Sequence, residues 1–273
     1  MGKNCTRRFR WHSGMKDISL CMSVYNQEFL IEKVLAGMYN NMTDNIKEFI
    51  LLFDGCSDRT EELAMNFLSS KKLQPKISYA DDVHEVKANN LCFKQCSCEY
   101  ILTVQDDIII TEKNFDQRML KPFTATENLL GVTGRDAVDC MIRNNDLDFC
   151  NMAGTDAIPK TPRNIFGMRQ IINRGPILFN HEKLKDMNYL DERYAPVNQD
   201  DTSLFLSGLR KGYRSGAYII DYVSKPEWGS TRRLGKENTL WERVAPIHRK
   251  MIIAEHYDLI TMENKNSIDM IID

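Results

Sequence analysis

Apolar and polar positions change period along the chain, and the changes mark its elements. Residues 18–25 (ISLCMSVY) form a short, nearly continuous apolar run, which predicts a buried strand. Residues 28–39 then place Phe29, Leu30, Val34, Leu35 and Met38 at helical spacing. The alternation repeats: a strand over 48–54 (EFILLFD), a helix over 59–70, a strand over 76–80, a helix over 86–96 and a strand over 99–104 (EYILTV). Strands separated by helices of this length imply right-handed crossovers and a mostly parallel sheet flanked by helices, an α/β fold.

The second half is less regular. Residues 151–167 carry Pro159 and Pro162 with little periodicity, which reads as a long loop, and loops of that length in a compact domain are usually functional or disordered. A short strand over 175–180 follows, then a helix over 200–211 with Leu204, Phe205 and Leu209 inward, and a strand over 216–223. Residues 238–262 read as helix broken near Pro246. No shift in composition marks a linker, so one domain is expected over 18–237, with an extension at 1–17 and a helical segment at 238–273 packed on it.

Composition narrows the function classes. A formal net charge of −2 excludes a strongly basic nucleic-acid binder. The local exception, Arg7, Arg8 and Arg10 around Phe9, reads as a solvated terminus. No apolar run reaches the roughly 18 residues of a membrane span, and no signal-peptide pattern precedes Asp17. The expected location is therefore cytoplasmic, or peripheral on the cytosolic membrane face. The eight cysteines are scattered among apolar residues, as small buried hydrophobes in a reducing compartment would be; Cys92, Cys96 and Cys98 match no zinc spacing.

Three acidic clusters carry the chemistry. ILTVQDD (101–107) is an apolar run that ends abruptly in Asp106 and Asp107, so it delivers two carboxylates to the carboxyl edge of a sheet, where open α/β folds bind ligands. Adjacent carboxylates repel, and a hard cation such as Mg²⁺ or Mn²⁺ between them and a phosphate relieves that repulsion. Asp54 stands at another strand tip, with Gly55 permitting a sharp turn and Asp58 or Ser57 available to cap the next helix. A strand-tip carboxylate beside Tyr25 and Asn26 can accept hydrogen bonds from a nucleobase or ribose. Asp200 and Asp201 open a helix, where the local field keeps a carboxylate ionised, as a general base requires.

In order, SVYN (23–26), DGCSDRT (54–60), QDD (105–107) and the segment from YLDE (189–192) through QDDTSL (199–204) resemble the family 2 inverting glycosyltransferases of GT-A fold. A looser match to an A-R-N-like segment falls on Ala88, Asn89 and Asn90, and the resemblance covers roughly residues 18–216. It implies transfer of a sugar, hexosyltransferase-type, from a UDP-, GDP- or dTDP-sugar to a hydroxyl acceptor on a glycan, lipid or protein-linked glycan. By the same resemblance Asp54 contacts the nucleobase or ribose, Asp106 lies by the ribose or metal, Asp107 ligates Mn²⁺ or Mg²⁺ on the diphosphate, and Asp201 deprotonates the acceptor. Tyr25, Asn26, Asn90 and Asp200 occupy substrate-binding positions of the matched motifs.

The chain departs from the family pattern at Gln105, where the first aspartate of D-x-D is usual, at Cys56 in place of serine, and at Ser203 in place of the second acid of E-D-x-D-L. The histidine often found after the late strand is missing, which turns attention to Lys225, Arg232, Arg233 and His248 for the diphosphate charge, and to Trp228 or Trp241 for stacking on a sugar. Residues 151–167 and 228–237 are expected to order around donor and acceptor. Two other readings remain open: a nucleotidyltransferase, which the turn Tyr25-Asn26-Gln27-Glu28 disfavours because it is not a basic glycine-rich loop, and a relative that binds nucleotide sugar or glycan without turnover.

Overall fold

The apolar runs of the first half are split by the pleat into two cores. In the computed structural model, which describes residues 16–229, 236–261 and 267–272, the first strand β1 (Ile18–Val24) sends Leu20, Met22 and Val24 to one face and Cys21 to the other. After helix α1 (Ile31–Asn41), strand β2 (Ile46–Asp54) divides likewise, Phe49, Leu51 and Phe53 against Ile50 and Leu52. The period of two in a strand makes this division automatic, so a run that is apolar throughout must be covered on both faces.

Helix α2 (Thr60–Leu68), strand β3 (Lys76–Ala80), helix α3 (His84–Phe93) and strand β4 (Tyr100–Thr103) complete the alternating half. Then follow β5 (Ile109–Ile110), α4 (Phe115–Ala125), β6 (Leu129–Thr133), β7 (Asp136–Arg143), β8 (Asp146–Gly154), β9 (Ile165–Arg169), β10 (Ile171–Ile172) and β11 (Ile177–Asn180). The chain continues through α5 (His181–Asp186), α6 (Asp200–Arg210), β12 (Arg214–Ala217), β13 (Tyr222–Val223), α7 (Lys236–Thr261) and β14 (Ile268–Ile271). Helices α1, α2 and α4 cover one face through Val34, Leu35, Met38, Ala64, Leu68, Phe115 and Met119. Helices α3, α6 and α7 cover the other through Val86, Cys92, Phe93, Leu204, Phe205, Ile252 and Ile260.

The central sheet has the order β14-β9-β12-β6-β11-β4-β1-β2-β3. The pairs β1·β2, β1·β4, β2·β3 and β12·β6 are parallel, whereas β11 runs against both β4 and β6, and β9 against both β12 and β14. All strands but β11 and β9 therefore point the same way, the mostly parallel α/β sheet expected from the first half. A separate sheet β10-β7-β8 packs on it.

Several readings of the second half are corrected. Residues 151–167 are not one long loop: 151–154 belong to β8 and 165–167 to β9, and none of them borders the cleft described below. The hairpin β7–β8 turns through Asn144 (φ 51°) and Asn145 (φ 62°), two successive left-handed residues that match the right-handed twist of the flanking strands. The strand expected over 216–223 is two, β12 in the main sheet and β13 paired with β5. Helix α7 continues through Pro246; its non-helical dihedrals fall at His256 (φ −126°, ψ 20°). The terminal segment is not purely helical either, since β14 pairs with β9 at one end of the main sheet. Residues 1–15, with the arginine cluster, lie outside the described residues.

Close approach of β12 to β9 requires a glycine. A Cβ on Gly216 would meet the Gly167 carbonyl oxygen at 2.7 Å and Phe166 ring carbons at 2.7 and 2.8 Å, and the backbone contact cannot give way as a side-chain tip does. Gly216→Ala is expected to lower stability by about 1–3 kcal/mol, the range of overpacked cores. The measurement is the urea midpoint at constant slope; an unchanged midpoint would contradict the close approach.

Candidate functional site

Strands β1, β2 and β4 are parallel, so their carboxyl ends share one edge. The chain winds from β1 outward through β2 and β3, then returns to place β4 on the other side of β1. Strand order reverses there, and a crevice opens where helices depart in opposite directions. It encloses about 180 Å³ and is lined by Ser23 and Val24 at the end of β1 with Tyr25 just after it, Asp54 from β2, Thr103 at the end of β4 with residues 104–107 after it, and Asp82, His84, Glu85 and Asn89 around the start of α3.

Asp106 ties the two central strands together at this edge. Its Oδ2 accepts the Tyr25 amide at 3.0 Å, across the β1–β4 seam. Burial, then the neighbouring Asp107, pushes its carboxyl up to about 7. Asp106 and Asp107 are partly exposed at the cleft. Gln105 turns sideways: its Nε2 donates to Glu85 at 3.2 Å, and its Oε1 lies so close to Gly175 (φ 82°) that a Cβ there would clash with it. The residue replacing the first acid of D-x-D thus bridges to α3 and packs on the turn before β11.

Asp54 is 4% exposed and has a distinct job. Its two oxygens accept the Val83 amide at 2.8 Å and the His84 amide at 2.9 Å. Those N–H groups open α3, whose N-cap Val83 supplies no side-chain acceptor of its own. Burial raises the Asp54 pKa and the two amides oppose it. The strand-tip carboxylate therefore shapes the turn that carries Asp82 (φ 51°) and His84 (φ 66°) into the cleft.

The antiparallel strand β11 brings a further residue to the same edge. Its start pairs with the end of β4, Ile177 opposite Thr103, so the preceding Arg174-Gly175 lies beside Gln105. The Arg174 side chain is 9% exposed and reaches three carboxylates: Asp200 at 2.7 Å, Glu85 at 3.5 Å and Asp201 at 3.7 Å. Burial works against the Arg174 charge, but Asp200, Glu85 and Asp201 outweigh it and hold its pKa above the ordinary value. Asp200 is completely buried; burial raises its carboxyl, and Asp201 and Glu85 push the same way against Arg174. Asp201, next along α6, keeps 21% of its side chain exposed. Arg174 and Glu85 were not singled out from the sequence. The available signal was a lone cation before a buried strand and a helix entry without a capping residue.

Other expected site residues have contacts elsewhere. The Asn26 side-chain oxygen accepts the Ser57 and Asp58 amides at 2.7 and 3.3 Å, before α2. Asp58 in turn accepts the Thr60 amide at 3.0 Å, the capping contact expected of it. Asn90 is 2% exposed and grips Leu190 on both sides, its Oδ1 accepting the Leu190 amide at 3.0 Å and its Nδ2 donating to the Leu190 carbonyl at 2.8 Å. Its neighbour Asn89 borders the cleft instead. Trp228 packs against the core under α1, with Lys225 over its ring, and its carbonyl accepts from Gln27 at 3.0 Å. His248 is buried, with Nδ1 3.0 Å from the Asn198 carbonyl, while Trp241 is exposed on α7. Of the 228–237 segment, Gly229 borders the cleft; Arg232 and Arg233 lie outside the described residues.

Among the described residues no three His, Cys, Asp or Glu side chains form a metal cage. Asp107, with Asp106 beside it, offers one or two carboxylates at an open edge. That donor set fits a hard divalent cation that keeps several waters and completes its shell with substrate phosphates. No described helix is long and apolar enough to cross a membrane.

Similarity to known proteins agrees with this fold. Over 187 residues the chain is 26% identical to a poly-beta-1,6-N-acetyl-D-glucosamine synthase of Staphylococcus epidermidis, covering 66% of this chain but only 43% of that protein's length. Its fold resembles a mannosyltransferase of Pyrobaculum calidifontis in complex with GDP-Man and Mn²⁺, with TM-score 0.58, 15% identity and coverage of 90% of this chain and 70% of that one. It also resembles glucosyl-3-phosphoglycerate synthase of Mycobacterium tuberculosis in complex with Mn²⁺, UDP and phosphoglyceric acid, with TM-score 0.52, 14% identity and coverage of 84% and 78%. The model of glycosyl transferase family 2 matches residues 19–182, well over half of the chain, and the chain belongs to that family, with a GT-A fold.

Proposed function

We propose that this chain transfers a sugar from a nucleoside-diphosphate sugar to a hydroxyl acceptor, with inversion and with a divalent cation, Mn²⁺ or Mg²⁺. The observation that carries the reading is that Asp54, Asp106, Asp107 and Arg174 line one cleft at the reversal of strand order, with Arg174 reaching Asp200 at 2.7 Å and Asp201 at 3.7 Å on α6. The relatives with bound GDP-Man or UDP and Mn²⁺ support the donor class and the metal. Nucleobase and ribose lie toward Tyr25, Asp54 and the turn at Asp82–His84, and the diphosphate toward Asp107.

Asp201 is the Brønsted base of this reading, exposed where Asp200 is not. It takes the proton of the acceptor hydroxyl as the acceptor oxygen bonds to the anomeric carbon and the bond from that carbon to the diphosphate breaks. One displacement inverts the configuration. Asp107 would hold the divalent cation, which would supply Lewis-acid stabilisation of the negative charge on the departing nucleoside diphosphate. Asp106 holds Tyr25 and the β1 tip in register with the donor.

Two substitutions test the assignment. In thermal-shift titrations with UDP- and GDP-sugars, Mn²⁺ should add to wild-type stabilisation. Asp107→Asn should lose the Mn²⁺-dependent part, with donor Kd weakened at least about tenfold, the cost of losing even an outer-shell partner of a metal. An identical Mn²⁺ response in both proteins would overturn the metal site. Asp201→Asn should lower transfer by about 10²–10⁴-fold, the usual contribution of a general base, with donor Kd essentially unchanged. Turnover that survives this change would place the base elsewhere.

A further inference from the structure

We propose that Arg174, which lines the cleft, is a positioning residue of this site: it locks Asp200 as a buried counter-ion and thereby holds Asp201, its partly exposed neighbour on α6, beside it. This rests on Asp201 being the general base. Three observations carry it. First, α6 has no cap of its own. Its entry residues Asn198 (φ 84°) and Gln199 (φ 63°) are left-handed, Gln199 makes no side-chain cap bond, and their buried side-chain oxygens have no hydrogen-bond partner among the described residues. Two contacts from outside hold this entry instead: His248 Nδ1 at the Asn198 carbonyl, 3.0 Å, and, within the first turn, the ion pair of Arg174 Nη2 with both Asp200 oxygens at 2.8 and 2.7 Å.

Second, the guanidinium divides its contacts. Nη2 takes Asp200 and also faces Glu85 on α3 at 3.5 Å, while Nε faces Asp201 at 3.7 Å. A planar fork can address two carboxylates of one turn and a third on another helix at once; a lysine ammonium is a single point and cannot. Third, the two aspartates differ in access. Asp200 has no exposed surface, whereas Asp201 is beyond hydrogen-bond distance of Arg174 and partly open. Arg174 thus distinguishes adjacent carboxylates, holding one and leaving the other free to receive a proton. Its position is set by the antiparallel strand β11 and by Gly175, which lets the turn pass Gln105.

The test separates positioning from mere support. Arg174→Gln leaves Asp200 buried without its cation and should lower both melting temperature and kcat. Adding Asp200→Asn removes the stranded charge. Arg174→Gln/Asp200→Asn should regain the wild-type melting temperature, yet keep kcat for UDP- and GDP-sugars with Mn²⁺ reduced about 100-fold, the scale of a misplaced reacting group, with donor KM within about threefold. Arg174→Lys should likewise fold without recovering kcat. Hydrogen exchange over residues 196–206 reads the α6 entry without substrate, and should be at least about tenfold faster in the double variant while protection of β1 and β4 is unchanged. Wild-type exchange in that segment, or a kcat that returns with the melting temperature, would overturn the proposal. Turnover surviving in Asp201→Asn would instead overturn the assignment of the base, whatever the Arg174 variants do.

Discussion

Crowding of negative charge at one sheet edge is the constraint around which this cleft is built. Asp54, Glu85, Asp106, Asp107, Asp200 and Asp201 converge from β2, α3, the β4 tip and α6, with Arg174 buried among them. Each carboxylate is managed separately. Asp54 and Asp106 are held by backbone amides, Asp200 by a guanidinium, and Glu85 bridges to Gln105 and Arg174. Asp107 and Asp201 are both partly exposed, and to these two the proposed reading assigns the donor metal and the acceptor proton. Substituting glutamine at position 105 removes one more charge from this edge and turns that side chain into a strut.

The parallel half of the fold was legible because its information is local. Runs such as ILLF in β2 must be buried on both faces, and the helices between them have clear apolar stripes. The first two acidic clusters were also legible, since each follows a strand whose direction is fixed by the crossover rule, while the third showed as the acidic opening of a helix. The second half resisted because its strands are defined by pairing. β8 alternates irregularly between exposed and buried positions, and β9 finds its place only between β12 and β14. Its one strong local signal, the Asn144-Asn145 turn, lies in an otherwise unremarkable stretch.

Within the site, the sequence pointed to acids and passed over the cation that organises them. Arg174 lies outside every acidic cluster and reaches Asp200 only because β11 runs opposite to β4. Antiparallel placement is a tertiary fact with no local signature. The same holds for Asn26 and Asn90, polar residues near motif positions whose hydrogen-bonding capacity is largely taken up by the Ser57–Asp58 turn and by Leu190. Motif proximity selected them; the demand of buried backbone groups for partners decides where they point.

Asp54 accepts the amides that open α3, a helix whose own N-cap is Val83. The residue assigned to the donor's nucleobase is thus also a brace of the scaffold, so selectivity and foldability share a position. A lineage exploring other donors could not alter residue 54 freely. It would first need another acceptor for the Val83 and His84 amides, which a capping side chain at position 83 cannot supply because it reaches the N2 and N3 amides, and that order of events gives the cleft an evolutionary ratchet.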